Sequence, residues 1–258
     1  MNKIKDKYAI FLDIDGTLMG SSSAALDENL AVIQKVRALG HKVLISTGRS
    51  TAYLPSNIDI EKYFDGVVSG AGARVVIDGK EVFCKTMTRE NIKAFCEYSI
   101  ENGIIGVLEG IDNMFFMGIV EEGMGKWIHI DSKNISEYLT KALPIEKFTI
   151  LGIAPEELNE ILTDCVILQH DGYAEILQKD CSKSSGMKIA AAELGVDSEH
   201  CIAMGDSLND FDMIENAGIG VAMGNAVPEI KEIADMITKD VDNAGVAVAL
   251  KEIFSLKD

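Results

Sequence analysis

The chain contains no run of about 18 consecutive apolar residues, the minimum for a helix that crosses a membrane. Its five cysteines (Cys84, Cys96, Cys165, Cys181 and Cys201) form no Cys-x-x-Cys pair. They read as reduced thiols, which excludes a disulfide scaffold and suits a cytoplasmic protein. Only four histidines occur (His41, His129, His170 and His200), dispersed along the chain, so a zinc site is not expected. Positive charge is also scarce: 24 Lys plus Arg stand against 41 Asp plus Glu, a net charge of −17. Such a surface repels nucleic-acid phosphates and anionic lipid heads, so neither is expected as a partner. A small anionic substrate is still admissible, because a local cationic group can override the overall field. Internal repeats and low-complexity tracts are absent as well.

What remains is a chain of 258 residues, 47% hydrophobic, enough for one large domain or two modest ones. Its first apolar run, Tyr8 to Leu12, is short and is followed by Asp13 and Asp15. It reads as a buried strand of a parallel sheet and not as a signal peptide. Leu26, Leu30, Ile33, Val36 and Leu39 recur at helical spacing, with Gly40 as a stop. Strands follow at Val43–Ile45 and Gly66–Val68. The same rhythm returns late: a helix at Met187–Leu194, a strand at Cys201–Met204, a helix from Phe211 to Asn216, a strand at Ile219–Ala222 and a helix at Pro228–Ala234. This β-α-β alternation predicts right-handed crossovers onto a parallel sheet.

The middle of the chain reads differently. Helices are expected at Glu90–Asn102 and Pro155–Leu162. Strands are expected at Met114–Val120, Phe148–Ile153, Cys165–Gln169 and Ala174–Leu177. The predicted fold is therefore α/β: a Rossmann-like parallel-sheet core, residues 1–84 and 181–258, interrupted by an inserted α+β domain, residues 85–180. Met114, Phe115, Phe116, Met117 and Trp127 read as core of that insertion.

Four clusters can carry chemistry. Asp13-Ile14-Asp15-Gly16-Thr17 sits where an apolar strand ends, the edge at which open α/β sheets bind ligands. Two other readings are a charged Asp-Gly turn and, less favoured, the metal–nucleotide Asp-x-Asp site of a glycosyltransferase. Ser46-Thr47-Gly48-Arg49 follows the next strand, and its hydroxyls suit a phosphate oxygen or a plain turn. Lys183 precedes a helix, where an ammonium strengthens an anion site or is simply solvated. Gly205-Asp206-Ser207-Leu208-Asn209-Asp210 places two carboxylates four residues apart, a pattern for a hard cation or a helix cap. Three of these clusters directly follow predicted parallel strands, and so would open on one sheet edge.

Taken in order, the clusters resemble the four motifs of the haloacid-dehalogenase superfamily, and within it the Cof-like phosphatases. The stretch from Gly218 to Ala226 also resembles the Cof-like pattern. The resemblance spans nearly the whole chain and implies that the insertion is a cap. It also implies a magnesium (Mg2+)-dependent phosphatase acting on a small phosphorylated metabolite, such as a sugar phosphate or a phosphorylated cofactor. Asp13 would be the nucleophile that forms an aspartyl-phosphate, and Asp15 the acid and then the base. Gly16, Thr47, Gly48, Lys183 and Asn209 would hold phosphate. Asp13, Asp206, Asp210 and the Asp15 carbonyl would hold the metal, with Asp210 in or just behind its shell. Asp15 favours a phosphatase over a dehalogenase, which needs no such acid. The chain departs from the Cof-like pattern at Ser69, Asp240 and Ala244, all outside the core catalytic positions. A phosphomutase using the same nucleophile, and a non-catalytic sensor of a phosphorylated ligand, are the alternatives. The sequence is silent on oligomeric state.

Overall fold

The structure, a computed structural model, describes residues 7–118 and 127–256. The chain forms two compact units. The first takes the described parts of Met1–Gly48, Ser56–Phe83 and Ser182–Asp258; the second takes those of Arg49–Pro55 and Cys84–Cys181.

Along the chain, β1 (Ala9–Leu12) leads to α1 (Ser23–Ala38), β2 (Lys42–Ser46), the short α2 (Ile60–Tyr63) and β3 (Gly66–Ser69). A hairpin of β4 (Arg74–Ile77) and β5 (Lys80–Cys84) follows. Next come α3 (Arg89–Asn102), β6 (Gly106–Gly110), β7 (Met114–Met117), β8 (Ile128–His129) and α4 (Ile135–Leu139). Then come β9 (Ile145–Leu151), α5 (Leu158–Ile161), β10 (Cys165–Gln169) and β11 (Tyr173–Gln178). The chain continues through α6 (Lys183–Leu194), β12 (Cys201–Gly205), α7 (Phe211–Asn216), β13 (Ile219–Ala222), α8 (Pro228–Ile233), β14 (Met236–Ile237) and α9 (Gly245–Ile253).

The first unit is an α/β fold around an eight-stranded sheet in the order β14-β13-β12-β1-β2-β3-β4-β5. From β14 to β3 the pairings are parallel, and β4 runs antiparallel to β3. Central β1 is entirely excluded from solvent, which explains why its sequence is continuously apolar and does not alternate. Local chemistry sets the helix ends. The Ser22 hydroxyl accepts from the Ala25 N–H at the start of α1. At α6, Ser182 and Ser185 exchange side-chain and backbone hydrogen bonds in a capping box, and left-handed Gly195 ends the helix. The β4–β5 hairpin adds two strands to those expected for the core, and Asp78-Gly79 between them is a strong hairpin signal. Both residues adopt positive φ, +48° and +74°.

The second unit is built on a six-stranded sheet in the order β10-β11-β9-β6-β7-β8. Every pairing is antiparallel except β7 with β8. One sheet face meets the helices: Leu108, Phe148, Ile150 and Ile176 pack with Ile92, Phe95 and Cys96 of α3 and Leu158 of α5. The Phe95 and Phe148 rings stack with centroids 4.4 Å apart. Alternation along the strands sends Glu109, Lys147 and Glu175 to the opposite face. There Lys147 pairs with Glu175 and lies 3.4 Å from Glu109, while Thr149 donates to Glu109 at 2.6 Å. The expected aromatic and methionine core divides between these faces. Phe115 and Met117 join the helix-covered cluster, whereas Met114 and Phe116 pack with Val107, Ala52 and Trp127. The strand expected at Met114–Val120 is described only to Met117, and Val120 lies outside the described residues. Helix α5 is shorter than the expected Pro155–Leu162.

Candidate active site

Because β1, β2 and β12 are parallel neighbours, the residues that follow them emerge on one edge of the first unit. Asp13 leaves β1, Thr47 leaves β2, and Asp206 leaves β12. Lys183, the first residue of α6, reaches the same place and is 1% exposed. Its ammonium lies 2.7 Å from Asp13 Oδ1 and 2.7 Å from Asp210 Oδ1.

Asp210 is fully buried at the end of a tight turn over Leu208–Asp210. Its second oxygen accepts from the backbone N–H groups of Asp206, at 3.0 Å, and Ser207, at 3.2 Å. Both Asp210 oxygens are therefore engaged. Asp206 is half-buried, and its Oδ1 accepts from the Thr17 hydroxyl at 3.1 Å. Asn209 accepts from the Ser207 hydroxyl at 2.9 Å. Thr47 is buried and fixed through its backbone: its N–H donates to Val68 at 2.9 Å, and its carbonyl accepts from Ala71 at 3.0 Å. Asp15 is exposed, on a turn in which the Gly16 N–H donates to the Met19 carbonyl at 3.0 Å.

Glycine is required at two points. Gly16 has φ +78°, and a Cβ there would lie 2.3 Å from Asp206 Oδ2. A Cβ on Gly205 would lie 2.3 Å from the Asp210 carboxyl carbon.

The electrostatics are those of a site short of positive charge. Burial pushes the Asp13 carboxyl up to about 7; Lys183 opposes this, while Asp210 and Asp206 reinforce it. Asp206 is pushed up to about 6, first by burial and then by Asp210. Burial lowers the Lys183 pKa, but Asp13 and Asp210 outweigh it and hold the ammonium protonated, above its ordinary range. Three carboxylates thus share one buried cation. Oxygens of Asp13, Asp206 and Asp210 all lie within 4.8 Å of one another. An all-oxygen donor set with uncompensated negative charge fits a hard divalent ion such as magnesium.

The structure thus gathers Asp13, Lys183, Asp206 and Asp210 into one cluster, with Gly16 packed against it and Thr47 on the neighbouring strand end. Asp15 stands at its exposed margin. Two residues join the site beyond those expected: Thr17 holds Asp206, and the Asn225 amide donates to the Gly16 carbonyl at 2.8 Å. Thr17 lies within the Asp-x-Asp-Gly-Thr run, but its partner 189 residues away leaves no local signal.

Comparison with known proteins gives the class. Residues 10–250 match the model of the haloacid dehalogenase-like hydrolase family. A Bacillus subtilis relative named "Putative phosphatase YkrA" is 31% identical over 98% of this chain and 100% of its own length. Another from the same organism, 5-amino-6-(5-phospho-D-ribitylamino)uracil phosphatase YitU, is 30% identical over 96% of this chain and 98% of its own. The solved structure of the subclass IIB sugar phosphatase BT4131 superposes with a TM-score of 0.81. It covers 97% of this chain and 100% of that one, and at 22% identity the likeness is one of fold. The chain belongs to the haloacid dehalogenase-like hydrolase family. It is a phosphatase. Among the described residues, no helix is long and apolar enough to cross a membrane.

Proposed function

We propose that this phosphatase hydrolyses small phosphorylated metabolites, sugar phosphates or phosphorylated cofactors, through an aspartyl-phosphate on Asp13, with magnesium as cofactor. The first unit is the catalytic core and the second is the cap. The observation that carries this reading is the buried Lys183 bridge between Asp13 and Asp210, beside Asp206. The names of the relatives, one a sugar phosphatase and one a phosphatase of a phosphoribityl compound, support the substrate class.

An Asp13 oxygen attacks phosphorus, and the bond from phosphorus to the ester oxygen breaks. Asp15 delivers a proton to that departing oxygen. Asp15, now a carboxylate, takes a proton from water as the water attacks phosphorus, and the bond to Asp13 breaks to release inorganic phosphate. Lys183 neutralises Asp13 and the incoming phosphate, Thr47 and Asn209 hold phosphate oxygens, and the backbone at Gly16 and Gly48 gives close access. Asp13, Asp206 and the Asp15 carbonyl would hold the metal, with Asp210 orienting Lys183 and the Asp206 loop from behind. Magnesium, when bound, would supply positive charge that offsets the repulsion of carboxylate and phosphate.

The test is phosphate release from a panel of phosphorylated metabolites, with magnesium and with chelator, alongside Asp13→Asn. Release that requires both magnesium and Asp13 is expected. Full turnover in Asp13→Asn would overturn the mechanism, and isomerised substrate without free phosphate would make the protein a mutase.

A further inference from the structure

The loop that leaves β1 after Asp13 is tied to other elements of the first unit at several places. The Thr17 hydroxyl holds it to Asp206. Asp242 accepts from the Ser21 N–H and hydroxyl, both at 2.7 Å, and from the Ser22 N–H at 2.9 Å. Just before the first of these ties, the Asn225 amide nitrogen donates to the Gly16 carbonyl at 2.8 Å. The oxygen of the same amide accepts from the Val241 N–H at 2.8 Å, so both ends of the group are engaged. Asn225 is itself seated firmly. The neighbouring Gly224 N–H donates to the Lys239 carbonyl at 3.0 Å, and a Cβ on Gly224 would meet the Asp240 nitrogen at 2.6 Å.

Two chemical facts give this brace a purpose. Gly16 follows Asp15 directly and is the freest kind of backbone, so a tie at its carbonyl narrows the orientations open to the Asp15–Gly16 segment. A primary amide donates and accepts at once, and can therefore link a carbonyl to an N–H.

We infer that Asn225 is a positioning residue that orients Asp15 for proton transfer, acting through the Gly16 carbonyl without touching substrate. The inference rests on the assignment of Asp15 as acid and base made above.

The signature of a displaced acid is selective. A basic leaving group such as phenolate needs the proton, whereas p-nitrophenolate departs readily without one. Both phenyl phosphate and p-nitrophenyl phosphate give the same aspartyl-phosphate, whose hydrolysis uses Asp15 as base. In Asn225→Ala, kcat/KM for phenyl phosphate is expected to fall roughly tenfold or more, part of the ~10²–10⁴ that acid–base catalysis contributes. The value for p-nitrophenyl phosphate is expected to change far less, while a burst of p-nitrophenol and acid-trapped phosphoenzyme increases. Asn225→Asp retains an acceptor for Val241 but sets an oxygen against the Gly16 carbonyl, and is expected to behave alike. It also serves as the second variant should Asn225→Ala fold poorly. Equal losses on both esters, or no loss on either, would overturn the role of Asn225. Asp13→Asn is measured in parallel: surviving turnover there would remove the phosphatase mechanism itself, a different failure.

Discussion

The Lys183 ammonium lies 2.7 Å from Asp13 Oδ1, across 170 residues of sequence, with only 1% of the Lys183 side chain exposed. A second carboxylate, Asp210, contacts the same nitrogen at the same distance. Removing the cation would leave two buried carboxylates facing each other. Lys183→Met is expected to abolish measurable phosphate release. It is also expected to cost about 3–5 kcal/mol of stability, the usual penalty for breaking a buried pair, read from urea unfolding. A variant with normal stability and activity would show that the pair is dispensable.

The raised carboxyls set a pH dependence. Asp13 at about 7 and Asp206 at about 6 both stand above the ordinary value of 3.8, burial being the largest cause in each. Between those limits the folded state keeps protons that the unfolded chain releases, so their contribution to stability is present at low pH and declines as pH rises towards 7. Magnesium binds the ionised forms. The gain in Tm on adding magnesium to chelator-treated protein should therefore be larger at pH 8 than at pH 5.5. An equal gain at both would argue against carboxylate ligation here.

Gly205→Ala adds one methyl group beside Asp210, with its Cβ 2.3 Å from the carboxyl carbon. Asp210 cannot easily retreat, because Lys183 and the Asp206 and Ser207 N–H groups hold both its oxygens. Overpacking is expected to cost about 1–3 kcal/mol. The displaced cluster should lose roughly 10²-fold in kcat/KM. Wild-type kinetics in this variant would mean that the strand end can yield.

At the far end of β1, the His41 ring accepts a hydrogen bond from the Tyr8 N–H at Nδ1 (3.2 Å), and its centroid lies 4.3 Å from that of Phe254. Burial lowers the His41 pKa below 6.5. The folded state thus favours the neutral ring. Its contribution to stability is complete above pH 6.5 and is lost as pH falls through the folded value. Titration of the His41 ring by NMR, assigned with His41→Gln, should give a midpoint below 6.5. A midpoint at or above that value would contradict the burial argument.

Much of this protein is determined locally. The continuous apolar run of β1 and the helical spacing of α1 follow from how each element meets the core, and each is written in consecutive residues. The parallel α/β core was legible for that reason, as was the order of Asp13, Thr47, Lys183 and Asp206 along the chain. The hairpin at Asp78-Gly79 is equally local, since its turn chemistry lies in two consecutive residues. Other features have no local trace. Sheet register and crossovers, not spacing, bring Lys183 to Asp13, Thr17 to Asp206 and Asn225 to Gly16, because these partners lie on different elements. The same holds for Arg49–Pro55, which separates from its sequence neighbours because Thr51 donates its N–H and hydroxyl to Glu146, at 2.6 and 2.8 Å. It holds also for Lys147, whose neighbours in sequence say nothing of Glu109 and Glu175. Periodicity reports which face of an element is buried, but only the assembled sheets decide which buried polar groups meet, since each must find a partner once water is excluded.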